Sequence, residues 1–157
     1  MKNVGVPLID LSPSYNGTFD GKKMVAEQIN SACMDLGFFA ITGHGVAMSL
    51  INEFRKISHE FFEQPLENKM KFTHPVDGTP RGYRVFAGEA LGRASIAGEP
   101  PDLKEFYHIG PNEWPDDEYH TGSEGQKYFI PNIWPDRPLG FKSIALNYYL
   151  SLIHISE

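Results

Sequence analysis

The chain has 157 residues, 41% of them hydrophobic and 22% charged, with a net charge of -6. That length suits one domain with a core of its own. The acidic balance argues against a nucleic-acid binder, which needs a basic face to neutralise phosphates. Cys33 is the only cysteine, so no intramolecular disulfide can form. The opening MKNVGVPLIDLS lacks the apolar core of a signal peptide. No stretch approaches the roughly 20 apolar residues of a membrane span. A soluble cytoplasmic protein with no membrane partner is expected.

Val6 to Leu11 is an apolar run closed by Ser12-Pro13 and reads as a strand. Between Asp20 and Leu36, the residues Val25, Ile29, Ala32, Cys33 and Leu36 recur at helical spacing. Asp20 can cap that helix, and Gly37 stands where a left-handed C-terminal residue belongs. Cys33, on the apolar stripe, is expected to be a buried, inert thiol. Phe38 to Thr42 reads as a strand between two glycines, and Leu50, Ile51, Phe54, Ile57, Ser58 and Phe61 make a second helical stripe. Pro65 suits the first turn of a short helix through Phe72, and Thr73 to Gly82 reads as a loop. Tyr83 to Phe86 and Leu103 to Ile109 have strand character. Gly110 to Pro138 holds five prolines and three glycines, too many for a long regular element. Phe141, Ile144, Ala145, Tyr148 and Leu152 share one face of a last helix. The irregular alternation fits an α+β fold better than a doubly wound sheet.

Spacing by itself yields no catalytic apparatus. Gly43-His44-Gly45 between a strand and a helix resembles the start of a dinucleotide-binding turn, but the third glycine is replaced by Met48. A tight turn using unusual φ angles is the better reading. Six histidines and twenty carboxylates offer metal ligands. A non-haem iron site often pairs a histidine with an acid two positions on. The residues in that position after each histidine are Val46, Phe61, Val76, Gly110, Gly122 and Ser156, and none is acidic. His59 and Glu63 are four apart, but they fall with Asn52 and Lys56 on the polar face. There is no zinc pattern, no HExxH and no GxSxG elbow. The segment Arg81 to Glu89, RGYRVFAGE, sets two arginines, a tyrosine and a glutamate at a loop-to-strand transition. An arginine there could clamp a substrate carboxylate, or it could snorkel at a sheet edge.

Taken together and in order, VPLIDLS, ACMDLGFFAITGHGV, FFEQPLENKMKF, GYRVFAGEALGRA, PPDLKEFYHIGP and NIWPDRPLGFKSIALNYY resemble the isopenicillin N synthase-like, non-haem iron oxygenases, bacterial members in particular. The likeness runs from about Val6 to Leu150. It implies an enzyme, a 2-oxoglutarate- and Fe(II)-dependent dioxygenase that uses O2 to hydroxylate, desaturate, cyclise or form ethylene from a small molecule. In the family the iron sits in a double-stranded β-helix (a jelly roll), held by His-x-Asp and a distal His, with Arg-x-Ser gripping the cosubstrate. His-x-Asp does not occur in residues 1–157, and the one Arg-x-Ser string, Arg93-Ala94-Ser95, has no His-x-Asp ahead of it. The resemblance therefore implies the N-terminal part of that fold with most of the barrel core missing. No catalytic residue and no metal ligand is expected here, and the chain alone is expected to be inactive. His44 becomes a structural turn residue, and Arg81, Tyr83 and Glu89 become candidate contributors to the substrate pocket. Residues 1–150 are expected to be the dioxygenase N-terminal domain, and 151–157, SLIHISE, a read-through tail that is not native. The alternative is a stand-alone, non-catalytic binding or dimerisation module.

Overall fold

In the computed structural model of the protein, residues 5–76, 79–88 and 101–153 are described. They form two compact units, one running to Ala47 and taking in the chain from Ser151, the other Met48–Leu150.

The first unit begins with β1 (Leu8–Asp10), α1 (Ser12–Tyr15), α2 (Phe19–Asp35) and β2 (Ala40–Thr42). β1 and β2 pair in parallel with Ile9 opposite Ile41, and parallel neighbours need a crossover, which α2 supplies. Ser12-Pro13 does more than stop the strand, because it opens α1. The cap of α2 is Thr18, whose hydroxyl accepts from Gly21 N at 3.2 Å, and Asp20 lies in the first turn instead. The helix ends as expected at Gly37, with φ +85°. Val25 and Ala32 are buried with Ile9 and Leu11, and Ile29, Phe39 and Ile41 pack against them. Cys33 corrects the sequence reading: it is exposed. At 3.6 residues per turn it lies about 70° round from the centre of the Val25–Ile29–Ala32–Leu36 stripe, enough to carry its thiol off the core.

The Gly-His-Gly turn follows β2. Gly43 has φ +62°, and a Cβ there would overlap the side chains of Asp10 and Ser12, so the turn passes against the end of β1 where only glycine fits. Asp10 accepts from Ser12 N at 2.9 Å and Ser12 Oγ at 2.7 Å. The Ser12 hydroxyl, then its backbone N–H, hold the exposed Asp10 carboxyl below its ordinary pKa. His44 Nδ1 accepts from Val46 N at 3.1 Å, which closes the turn locally.

The second unit holds α3 (Met48–Phe62), α4 (Leu66–Met70), β3 (Gly82–Arg84), β4 (Phe106–His108), α5 (Glu118–Thr121), a short 3-10 turn (Gly125–Lys127) and α6 (Phe141–Ile153), whose last turn runs past Leu150. Pro65 caps α4 rather than entering its first turn, and Gly82, expected at the end of a loop, begins β3. β3 and β4 are antiparallel. The α3 stripe is the core: Phe61 is fully buried among the rings of Phe62, Phe72, Tyr83, Tyr107 and Phe141, with centroids 5.1 to 6.3 Å away. His59 and Glu63 stand 3.8 Å apart with both side chains more than three-quarters exposed, at 79% and 76%.

Candidate functional site

The strand-entry segment RGYR is built from the inside outward. Gly82 has φ +76°, and a Cβ there would strike the Phe72 carbonyl. That close approach lets Tyr83 N donate to Phe72 O at 2.9 Å. It also sends the Tyr83 ring into the aromatic core, where it is 0% exposed. The Tyr83 hydroxyl donates to Glu105 Oε2 at 2.5 Å, and Lys69 Nζ donates to the same oxygen and to Phe62 O, each at 2.8 Å. Burial, followed by the hydrogen bond and charge of Glu105, pushes the Tyr83 hydroxyl far above its ordinary pKa. For Glu105 burial works upward. The hydrogen bonds from Lys69 and Tyr83 and the Lys69 charge outweigh it and hold the carboxyl low. A buried ammonium beside a half-buried carboxylate is tolerated because each has its partners.

Arg81 is buried too. Its Nε donates to Ile130 O at 3.1 Å, Nη1 to Pro80 O at 2.6 Å and Nη2 to Tyr128 O at 2.9 Å. The guanidinium lies where any Cβ on Gly110 would be. Beside it Asn132 exchanges bonds with Gly110, donating from Nδ2 to its carbonyl at 3.0 Å and accepting from its N–H at 2.9 Å. Desolvation lowers the Arg81 pKa, against an opposing contribution from Tyr149. The arginine thus ties Tyr128 and Ile130, within the proline-rich stretch Gly110–Pro138, to the start of β3.

Of the three residues singled out from the sequence, Arg81 and Tyr83 flank Gly82 and point into the interior through different partners, while Glu89 lies outside the described residues. Lys69, Glu105 and Asn132 were missed. One signal existed for Glu105: alternation along Leu103 to Ile109 places it on the same strand face as Tyr107, and a carboxylate on an inward face requires a partner. Among the described residues, no three His, Cys, Asp or Glu side chains come together in a group that could hold a metal ion. The site residues present do not fit an Fe(II) centre.

Residues 6–137 match the family described as non-haem dioxygenase in morphine synthesis N-terminal. The chain belongs to that non-haem dioxygenase family. It is 35% identical over 151 residues to the 2-oxoglutarate-dependent dioxygenase thnC of Trichoderma harzianum, matching 94% of this chain and 43% of that protein. It is 30% identical over 160 residues to a homoarginine-6-hydroxylase of Oryza sativa subsp. japonica, with shares of 94% and 44%. The full-length Neurospora crassa protein crystallised with alpha-KG superposes with a TM-score of 0.70 at 26% identity, over 96% of this chain and 43% of that one. A 2OG-Fe(II) oxygenase family protein of Caulobacter crescentus shares the fold, with a TM-score of 0.73 at 22% identity over 97% and 45%. The chain thus spans less than half the length of the relatives it matches. Among the described residues, no helix is long and apolar enough to cross a membrane.

Proposed function

We propose that this chain is the N-terminal domain of an Fe(II)- and 2-oxoglutarate-dependent oxygenase that acts in the cytoplasm on a small molecule with O2, and not on nucleic acid. The observation that supports it most is the match of residues 6–137 to the dioxygenase family. When bound, iron would supply O2 activation, and its ligands would have to come from outside the described residues. The part played by this chain is structural positioning. The Tyr83–Glu105–Lys69 network and the Arg81 tie hold the β3–β4 ribbon at a fixed place, and in this proposal Arg81 and Tyr83 shape the substrate pocket from behind rather than touching substrate. A direct carboxylate clamp by Arg81 would draw its guanidinium away from the carbonyls of Pro80, Tyr128 and Ile130. Residues 1–150 form the native domain in this reading and 151–157 an added tail. Resequencing the source DNA past the codon for Leu150 tests it: an open frame that encodes His-x-Asp, a distal His and Arg-x-Ser is expected. A confirmed SLIHISE followed by a stop would instead favour a non-catalytic binding module.

A further inference from the structure

The first unit holds a cavity of about 500 Å3 where α1 meets α2, a size inside the roughly 300–1,000 Å3 of small-molecule sites. Lys22, Val25 and Ile29 line it from α2, at i, i+3 and i+7, so they share one face of that helix. Leu11, at the cap of α1, and Tyr15 line it from the other side. Leu11 and Val25 are buried, Ile29 half-buried, and Tyr15 and Lys22 exposed. Gly17, between the helices, has φ +70°, and a Cβ added there would meet no atom within 4 Å. The turn therefore leaves the space beside it open.

We propose that this cavity binds a small monocarboxylate with an extended apolar body, its chain along Leu11, Val25 and Ile29 and its charge on Lys22. Among the described residues that line the cavity, Lys22 is the one charge. The neighbouring Lys23 is paired with Glu27 at 3.9 Å, whereas the Lys22 ammonium has no acceptor among the described residues. The Ser14 hydroxyl on the same wall is already spent, donating to Leu11 O at 2.7 Å. Lys22 and Ile29 stand seven residues apart on α2, about 10 Å along the helix axis, so the cation sits at one end of an apolar length. An ammonium selects an anion over an amine. The apolar walls select an alkyl body over a second charge, which would lose water there and gain no partner. Binding needs no iron and no turnover, so a failure here leaves the oxygenase reading standing.

The test is a methyl NMR titration of the 157-residue chain with hexanoate, acetate (charged, no apolar body), hexanamide (apolar, uncharged) and hexylammonium (apolar, opposite charge). Hexanoate should move the Leu11, Val25 and Ile29 methyl signals along one saturable curve. It should bind about tenfold or more tightly than acetate, because its methylenes leave water, and about fivefold more tightly than hexanamide. Lys22→Gln should weaken it by about fivefold and Lys22→Arg should restore it, while Lys23→Gln should leave it unchanged. Both lysines are exposed, so these variants should keep the fold, and unchanged circular dichroism checks that they do. Three results would each overturn the proposal: methyl signals of Leu11, Val25 and Ile29 that do not move, hexylammonium binding as tightly as hexanoate, or hexanoate binding unaltered in Lys22→Gln.

Discussion

Glu105 shows how much one half-buried carboxylate can decide. Lys69 and Tyr83 both donate to its Oε2, and they hold its pKa below the ordinary glutamate value of 4.5. A folded-state pKa lower than the unfolded one gives stability that is complete above the unfolded value and lost as pH falls through the folded value. Denaturant melts between about pH 7 and pH 3 should therefore show an acid-side loss. Glu105→Gln should cost about 2 kcal/mol at neutral pH and flatten the acid limb. An acid limb identical in the variant would show that the loss comes from other groups. Cys33 gives a second check on a single residue. Being exposed, it should react with a maleimide in native buffer within about tenfold of its rate in the unfolded chain. A thiol that reacts only in denaturant would place it back in the core. The sequence stripe misled at Cys33 because a helical stripe has edges. Val25 and Ala32 near its centre are buried, but a residue at its margin can face either way.

At the scale of elements, the sequence was most readable where a local rule decides the backbone. The helices α2, α3 and α6 follow from apolar spacing, and the positive φ of Gly37 and Gly43 follows from where turns must fall. Strand lengths were overestimated: Val6 to Leu11 shrinks to three residues, because β1 pairs only as far as β2 runs beside it. The candidate site was legible only as a segment. RGYR was recognisable, but Lys69, Glu105 and Gly110, which it meets, and Asn132, bonded to Gly110, lie 12 or more residues away, as the separations of 22 and 36 at Tyr83–Glu105 and Lys69–Glu105 show. Spacing arguments do not reach that far. The turn after β2 yields a clean comparison. Gly43→Ala meets both a left-handed φ and the side chains of Asp10 and Ser12, whereas Gly45→Ala at φ +79° meets no atom within 4 Å. Both should destabilise, Gly45→Ala by about 1 kcal/mol and Gly43→Ala by about 2 kcal/mol or more. Equal midpoints in urea would contradict the close approach to β1.

For the whole molecule, the relation between family and chemistry matters most. Membership of the non-haem dioxygenase family rests on residues 6–137, yet no described cluster can take a metal, and the relatives are more than twice as long, with 43% and 44% of their length matched. In the proposed reading fold and catalysis are separable: this region supplies a core, a ribbon and networks that fix both, and iron chemistry would need residues other than those described. The experiment to do first is to follow succinate formation from 2-oxoglutarate, with Fe(II) and O2, in two preparations. One is the 157-residue chain, the other the same chain with its downstream coding sequence restored from the source DNA. Succinate from the longer protein and none from the shorter is the expected result. Turnover by the 157-residue chain alone would contradict it, since an iron site would then have to exist within this sequence.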